Sequence, residues 1–351
     1  MEGTGMRRPE PPAIIETTAI VYRLADIQER QQEWIWQGYI PKGCFSIGYG
    51  DPNAGKTTAA CHLSARITSG QDWPDGQPNP KPRSVLFLTG EDSVSRTLLP
   101  RFRAAGGDVN KLVVWDRVRF NYEDGEKSER LPDLLADVGK LKDIITSCPD
   151  MALVVVDTLS CFLAVKDSNQ AQQVRAALLP LRDLCEQTGV TLLGLGHMNK
   201  SSGQKAQYRA SGSISYIGAA RSALLFTPDR DDPETMVMAV SKCNLARRAP
   251  SLKYRIVPWN KDPEVAAVEW CGTSSYSADQ LLEEQKVNTK KKAIIEWLKT
   301  ILKDGPLLSD TIMRMAAEEG FKERTVWNAK DDAGVKARKQ SFSGPWEWYI
   351  P

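Results

Sequence analysis

The sequence predicts an α/β protein with a doubly wound, mainly parallel sheet, an antiparallel extension of that sheet and a small C-terminal winged helix-turn-helix domain. Three observations predict this fold. Short apolar runs alternate with helical segments up to His197, and strand-like runs joined by turns come after it. The chain after residue 290 then has the pattern helix, helix, helix, hairpin.

Five apolar runs predict the strands of the parallel sheet. They are Cys44–Ile47, Val85–Leu88, Leu112–Trp115, Leu153–Val156 and Thr191–Leu195. Each run is apolar almost throughout rather than at alternate positions, as in strands that are buried on both faces. Between the last two runs, Gln170–Thr188 carries apolar residues at steps of three and four, which predicts an amphipathic helix.

Four shorter strand-like runs predict the antiparallel extension. They are Ser222–Phe226, Thr235–Ser241, Leu252–Val257 and Val265–Trp270. Two further segments are predicted to be mobile loops, the proline-containing Gln71–Arg83 and the Ser-, Gly- and Lys-rich Asn199–Gly212.

The C-terminal pattern predicts a separate domain. A polar connector precedes a helical stripe, Ser309 is expected to cap a second helix that Gly320 ends, and a third helix stops at Gly334 before a hairpin. This order is typical of a winged helix. The predicted domains are a flexible segment 1–19, an α/β domain 20–275, a linker 276–289 and a winged helix domain 290–351.

Composition excludes several classes of protein. With 351 residues, 41% hydrophobic and 26% charged, the chain is neither disordered nor fibrous, and a net charge of +2 excludes a wholesale polyelectrolyte binder. Seven cysteines without a C-x-x-C pair predict reduced, mostly buried thiols and a cytoplasmic location. The two histidines, His62 and His197, lie outside any Cys/His cluster, so no structural zinc site is expected.

The strongest local signal is a phosphate-binding loop, which lies between the first strand and a helical segment. Its sequence fits G-x-x-x-x-G-K-[ST], and with the next residue it comprises Gly50, Asp51, Pro52, Asn53, Ala54, Gly55, Lys56, Thr57 and Thr58. Glycines let backbone N–H groups converge on phosphate oxygens, Lys56 reaches the β- and γ-phosphates, and Thr57 ligates Mg²⁺. The motif therefore predicts ATP and Mg²⁺ as cofactors.

Three side chains at later strand ends complete a candidate catalytic set. Asp157 is placed to join the Mg²⁺ shell, Glu91 to orient the attacking water as a general base, and His197 to approach the γ-phosphate. Each has an ordinary alternative: a turn-forming aspartate, a helix-capping glutamate and a structural histidine.

Across about residues 20 to 258 the sequence resembles the RecA/DnaB superfamily and, within it, the RepA-type replicative hexameric helicases of plasmids and phages. The resemblance rests on motifs in a fixed order: Trp36–Gly43, Gly50–Thr57, Gly90–Asp92, Asp157–Thr158, His197–Lys200, Arg209–Gly212, Gly218–Arg221 and Ser241–Asn244. It implies a RecA-like ATPase domain, a homo-oligomeric ring of hexamer size and ATP hydrolysis coupled to DNA translocation or unwinding.

The resemblance also implies roles for individual residues. Lys56, Glu91, Asp157 and His197 would act within one subunit, with His197 as the γ-phosphate sensor. Arg221 matches an arginine finger donated to the neighbouring subunit, and Lys242 matches a second cation acting in the same way. Surface solvation is the alternative for both. Asn244 stands where DnaB relatives carry a finger arginine, which favours Arg221.

Two regions are predicted to bind DNA. The loop Asn199–Gly212 lies where the superfamily has its central-channel loop, and its cations Lys200, Lys205 and Arg209 suit the tracking of single-stranded DNA. In the winged helix, a candidate recognition helix covers residues 323–330, with Val326, Trp327 and Ala329 expected to pack partly inward. Its candidate DNA contacts, with those of the wing, are Arg324, Asn328, Lys330, Lys336 and Arg338.

The sequence leaves three functions open. The first is a ring-forming DNA helicase or translocase of a plasmid, phage or integrated element. The second is a DNA-binding initiator or regulator that uses ATP as an assembly switch, and the third is a recombinase-like filament or loader. The winged helix would bind duplex DNA, a replication protein or another part of the ring.

Overall fold

A computed structural model describes residues 19–163, 171–197, 211–339, 341 and 344–351 of the chain. The chain forms two compact units, Met1–Gln32 and Glu33–Pro351. The described part of the first unit has one 3-10 turn, Leu24–Asp26, and its side chains are exposed. The strands and α-helices of the described residues belong to the second unit.

The strands, in chain order, are β1 (Trp34–Trp36), β2 (Ile40–Pro41), β3 (Phe45–Gly50), β4 (Ser84–Thr89), β5 (Leu112–Val114), β6 (Val118–Asn121), β7 (Lys127–Arg130), β8 (Met151–Asp157), β9 (Thr191–His197), β10 (Ser222–Pro228), β11 (Met236–Cys243), β12 (Ser251–Trp259), β13 (Asp262–Ser274), β14 (Leu307–Leu308), β15 (Lys336–Lys339) and β16 (Trp346–Tyr349). The helices are α1 (Lys56–Ser69), α2 (Leu99–Ala104), α3 (Val138–Thr146), α4 (Leu159–Phe162), α5 (Ala171–Thr188), α6 (Ser211–Ala219), α7 (Ala278–Ile301), α8 (Ser309–Glu318) and α9 (Glu323–Lys330).

One large sheet organises the second unit. The described strands run in the order β13-β12-β11-β10-β3-β9-β8-β4-β5. Every neighbouring pair from β10 to β5 is parallel, and β10, β11, β12 and β13 pair antiparallel in turn. The fold is therefore mixed α/β with a large, mostly parallel central sheet, consistent with a RecA-like P-loop fold.

One strand differs from the sequence prediction. Ser222–Pro228 (β10), predicted to open the antiparallel extension, pairs parallel with β3 on one side and antiparallel with β11 on the other. The turn-rich sequence after it suggested a hairpin strand, but the crossover that precedes it sets its direction. The extension therefore consists of β11, β12 and β13.

Helices cover both faces of the sheet, as the doubly wound prediction requires. On one face, α3, α4 and α5 bury residues such as Leu141, Phe162 and Leu178 against the sheet. On the other face, α1 and α2 pack with the β1–β2 hairpin around Leu63 and Trp36. The long apolar strands are buried on both sides, which explains why they do not alternate.

The predicted loop Gln71–Arg83 is anchored to the second face. Trp73 is buried and stacks on Trp36 with ring centroids 4.8 Å apart, and the Trp36 indole donates to Asp75. The polar and proline-rich sequence predicted a mobile loop, but the buried Trp73 holds its beginning, and the buried Asn79 holds its later part by donating to the Arg66 carbonyl at 2.8 Å.

The C-terminal module, which we define as α7 to β16, has its own apolar core. Ile294, Leu298, Ile312, Val326 and Trp348 are buried together. The order of elements is the predicted one, with the short strand β14 completing a three-stranded sheet in the order β14-β16-β15. The assignment of this module as a winged helix stays a prediction.

Two local predictions in this region are wrong. The predicted connector 276–289 is largely helical, because α7 begins at Ala278 behind a capping box formed by Ser277 and Gln280. Ser309 is the first residue of α8 rather than its cap, and the preceding Leu308 makes no capping side-chain bond. Gly320, at φ 76°, ends α8 as expected.

The cysteines are free thiols, as expected, but most are not buried. Cys61 and Cys185 are buried, whereas the other five are intermediate or exposed. Among the described residues, no helix is long and apolar enough to cross a membrane.

His62 joins α1 to the antiparallel extension. Its Nδ1 accepts a hydrogen bond from the Trp270 indole at 3.3 Å, so this nitrogen carries no proton. Burial, together with the nearby Arg66, lowers the pKa of His62 to about 4. His62 thus holds β13 against the first helix in its neutral form.

We predict that His62 makes the fold sensitive to acid. The unfolded chain, with a His pKa near 6.5, binds a proton that the folded chain rejects, so stability present above pH 6.5 is lost as the pH falls toward 4. Between pH 7 and pH 5 the loss is about 2 kcal/mol. Urea unfolding of wild type and His62→Gln at both pH values measures it. Between pH 7 and pH 5, the free energy of unfolding of His62→Gln should fall by about 2 kcal/mol less than that of wild type. An equal fall in both proteins would show that His62 is not the source of the acid sensitivity.

Candidate active site

The loop between β3 and α1 has the shape that phosphate binding requires. Asn53 (φ 66°) and Gly55 (φ 68°) are left-handed, which turns successive N–H groups toward one concavity. A Cβ on Gly50 would lie 1.9 Å from the Phe226 carbonyl oxygen, and one on Gly55 would lie 2.9 Å from Ile256 Cδ1. Glycine is therefore required at position 50 by the Phe226 backbone, and favoured at position 55 by the left-handed backbone conformation.

The start of α1 adds a favourable electrostatic field. The first turn of this helix contains no acidic residue, and Lys56 is its first residue. Unpaired N–H groups and the positive end of the helix dipole meet at the loop, and such a site favours anions. The predicted loop, Gly50–Thr58, therefore fits the phosphates of a nucleotide.

Lys56 crosses the mouth of the loop. Its Nζ donates to the carbonyl oxygens of Gly50 at 3.1 Å and Asp51 at 2.8 Å, and lies 3.2 Å from His197 Nδ1. Burial lowers the pKa of Lys56, while nearby carboxylates, Asp157 first, oppose this effect. A phosphate group in the loop would favour the charged ammonium form in the same way as these carboxylates.

Asp157 is the buried carboxylate of the site. It ends β8, and burial raises its pKa to about 6, against an opposing hydrogen bond with Thr57. A divalent cation between Thr57 and Asp157 would offset the cost of the buried charge, and hard oxygen ligands are those that Mg²⁺ prefers. No group of three or more His, Cys, Asp or Glu side chains in the described regions could hold a metal ion. Thr57 and Asp157 would hold such an ion together with phosphate oxygens of the nucleotide.

Glu91 and His197 face each other across the site. His197 Nε2 lies 3.9 Å from Glu91 Oε2, and Thr158 Oγ1 donates to Glu91 Oε1 at 3.5 Å. Burial and the Lys56 ammonium lower the pKa of His197, so the ring is neutral near pH 7. Because lysine only donates, Nδ1 must accept from it, which leaves the ring proton on Nε2, toward Glu91.

Strand register explains why these groups meet. Gly50 pairs with His197 across β3 and β9, and Thr89 pairs with Asp157 across β4 and β8. Carboxyl ends of parallel strands share one edge, so the four predicted catalytic groups of a single subunit lie at that edge. Glu91, whose side chain is 57% exposed, comes two residues after Thr89 and is open to solvent.

Tyr254 is a site residue that the sequence analysis did not find. It is buried in β12, and its hydroxyl donates to the carbonyl oxygen of Ala54 in the loop at 2.6 Å. Burial raises the pKa of Tyr254, which keeps the hydroxyl protonated as a donor. The two residues are far apart in sequence and Tyr254 belongs to no motif, so the sequence held no signal for this contact.

Arg221 and Lys242 lie at the opposite edge of the sheet. The Arg221 N–H donates to the Phe45 carbonyl at the start of β3, and Lys242 pairs with Ala223 across β10 and β11. At about 3.3 Å per strand residue, the length of β3 separates the Arg221 backbone from Gly50 by about 16 Å. Arg221 is exposed and cannot reach the loop of its own subunit.

Lys242 has local partners at that edge. Its Nζ donates to the carbonyl oxygens of Ile217 and Gly218 near the end of α6, both at 2.8 Å. Burial, Arg221 and Arg175 together lower the pKa of Lys242. This edge therefore carries several cations close together.

The residues that were predicted to contact DNA fall into two groups, of which the structure describes only the second. Those of the central-channel loop, Lys200, Lys205 and Arg209, lie outside the described residues. Arg324, Asn328, Lys336 and Arg338 are exposed or partly exposed, and Lys330 is partly buried. Val326 and Ala329 are buried, and Trp327 packs partly inward as predicted: 46% of its surface is exposed, and its ring meets the buried Trp348 edge-on.

Comparison with known proteins gives one family. A family model described as an AAA domain matches residues 10–203, more than half of the chain. The match includes the phosphate-binding loop, Glu91, Asp157 and His197. No curated protein matches the chain.

We predict that Tyr254→Phe weakens nucleotide binding about five- to thirtyfold. The substitution leaves the Ala54 carbonyl without its buried partner, which costs about 1 to 2 kcal/mol and loosens the loop. Titration with a fluorescent ATP analogue measures the effect. Tyr276→Phe is the matched control, because its hydroxyl donates to Asp231 at an exposed position away from the loop. Equal affinities for the two variants would contradict a role for Tyr254 in holding the loop.

Proposed function

Because this chain belongs to the AAA domain family of P-loop ATPases, we propose that it is a ring-forming, ATP-dependent DNA helicase or translocase of RepA type. Its role would be in the replication of a mobile element such as a plasmid, phage or integrated element. One observation carries the proposal: candidate catalytic groups are divided between two opposite edges of one sheet. A site of this kind is completed by a second subunit.

Within one subunit, the residues at the carboxyl edge would bind and orient the nucleotide. The loop Gly50–Thr58 and Lys56 would hold the phosphates, and Thr57 and Asp157 would hold Mg²⁺. That ion supplies charge neutralisation at the phosphates when it is bound. Glu91 is open to solvent and would orient the attacking water as the base.

His197 would report on the γ-phosphate. It is neutral, it contacts Lys56, and it faces Glu91, so movement of either partner changes its surroundings. The predicted DNA loop begins two residues later in the chain. This position supports a coupling in which Lys200, Lys205 and Arg209 move along single-stranded DNA in response to the nucleotide.

The second half of the active site would come from a neighbour. Arg221 would serve as the arginine finger and Lys242 as a supporting cation, both on the neighbour's opposite edge. Joining unlike edges of identical subunits makes a heterologous interface, which closes into a ring when the rotation permits. We propose a homohexameric ring with single-stranded DNA in its channel, and a C-terminal winged helix that makes a second contact with nucleic acid or a replication protein.

A recombinase-like filament is the second candidate. The same unlike-edge interface yields an open filament if the rotation between subunits does not close. Such a filament also brings the two edges of neighbouring subunits together and completes the site equally well. A forked DNA duplex separates the two candidates, since the helicase separates its strands with ATP and the filament does not.

We predict that Arg221→Ala abolishes hydrolysis and spares nucleotide binding, because the finger acts on a neighbour. Mixing it with Glu91→Gln should restore part of the activity. An interface that joins the nucleotide edge of an Arg221→Ala subunit to the opposite edge of a Glu91→Gln subunit has both an intact Glu91 and an intact Arg221. Steady-state ATP hydrolysis measures the rescue.

The matched control is a mixture of Lys56→Ala with Glu91→Gln. Both of these changes lie in the same half of the site, so no interface in the mixture is intact and no rescue is expected. Arg248→Ala, which removes an exposed arginine paired with Asp279, should stay active. Absence of rescue in the Arg221 mixture would contradict completion by a neighbour.

A further inference from the structure

The C-terminal module carries two exposed tryptophans on one surface. Trp327 on α9 is 46% exposed and Trp346 on β16 is 52% exposed. Trp348 lies between them: it meets Trp327 edge-on with ring centroids 4.8 Å apart, and it comes two residues after Trp346 on the same strand. Residues two apart on a strand share a face, so Trp346 and Trp348 lie on the same face of β16. We call Trp327, Trp348 and Trp346 the indole row; Trp348 is fully buried, and Trp327 and Trp346 are its exposed members.

Cations lie against this indole row. Lys330 Nζ is 5.7 Å from the ring centroid of Trp327 and 5.3 Å from that of Trp348. Lys339 pairs with Trp346 across β15 and β16, and its Nζ lies 5.7 Å from that ring. Each exposed indole therefore has an ammonium group over one face of its ring.

The neighbouring charges increase this positive character. Arg324 precedes Trp327 by one helical turn, and Lys336 lies on β15; both are exposed. Two of the nearby acids have partners, since Glu347 pairs with Arg338 and Asp332 pairs with Lys291, while Asp331 next to Lys330 is exposed. Glu323 accepts from the Trp327 indole at 3.4 Å, at the edge of the ring rather than over its face.

We propose that the indole row binds single-stranded nucleic acid, with unpaired bases stacked on Trp327 and Trp346 and phosphates beside Lys330, Lys339 and Lys336. Flat aromatic faces flanked by cations suit a ligand that has both an exposed π-face and a negative charge. Bases inside a duplex do not offer their faces. The proposal concerns residues outside the ATPase site and rests on the proposed function, in which this module contacts nucleic acid; it adds the class of ligand and the residues that hold it.

The test measures fluorescence anisotropy of a labelled oligothymidylate with the full chain, without nucleotide. We expect Trp346→Ala and Trp327→Ala each to weaken binding about five- to fiftyfold, and Trp346→Phe to retain most of it, because stacking needs an aromatic ring. Trp259→Ala is the matched control, since Lys261 lies 5.6 Å from that ring and the site lies on the β12–β13 hairpin, outside the indole row. Circular dichroism melts check that the variants are folded.

Photocrosslinking locates the contact independently of affinity. A 5-bromodeoxyuridine oligomer irradiated with the full chain should label Trp346 or Trp327, also in the Lys56→Ala variant that cannot hydrolyse ATP. Single-stranded DNA and RNA should bind with similar affinity, because base stacking on an indole does not involve the 2′-hydroxyl. Labels confined to the ATPase domain, stronger binding of a duplex of equal length, or equal affinity in Trp346→Ala and Trp259→Ala would each overturn the proposal. If the wild-type chain binds the oligonucleotide through Trp327 and Trp346 but does not hydrolyse ATP, the result contradicts the proposed function and leaves the proposed binding by the indole row intact.

Discussion

Parallel pairing of β3 with its two neighbours is the constraint on which the rest of the structure depends. It sets Gly50 against His197 on one side and against Phe226 on the other, at a separation that no side chain at position 50 could tolerate. The loop after β3 and the polar ends of β4, β8 and β9 consequently share one edge. Lys56, Asp157, Glu91 and His197 meet there although they are distributed over much of the chain.

The same pairing keeps Arg221 away from the phosphate-binding loop of its own subunit. Since β10 runs parallel to β3, Arg221 lies at the start of both strands, about 16 Å from the loop. In a parallel sheet, residues before a strand and residues after it are thus held apart by the length of that strand. In the proposed function, two copies joined by unlike edges would bring the halves together, so the proposed assembly follows from strand direction. Tyr254 then fixes the loop from the antiparallel side.

The features that could be predicted are those marked by a pattern within a few residues of sequence. The phosphate-binding loop, the buried strands and the polar residues at the ends of strands each have such a pattern. That these polar residues lie at one edge of the sheet follows from the parallel pairing of the strands. The direction of β10 and the contact of Tyr254 with Ala54 depend on crossovers and distant packing, which leave no local trace.

The central claim is that two subunits build one active site. The most direct test measures ATP turnover per subunit as a function of protein concentration, with and without single-stranded DNA. Particle mass is measured in parallel. The account predicts that turnover per subunit rises steeply as assemblies form, and that single-stranded DNA stimulates it. Constant turnover per subunit in a solution of monomers would contradict it, because Arg221 could then have no part in the reaction.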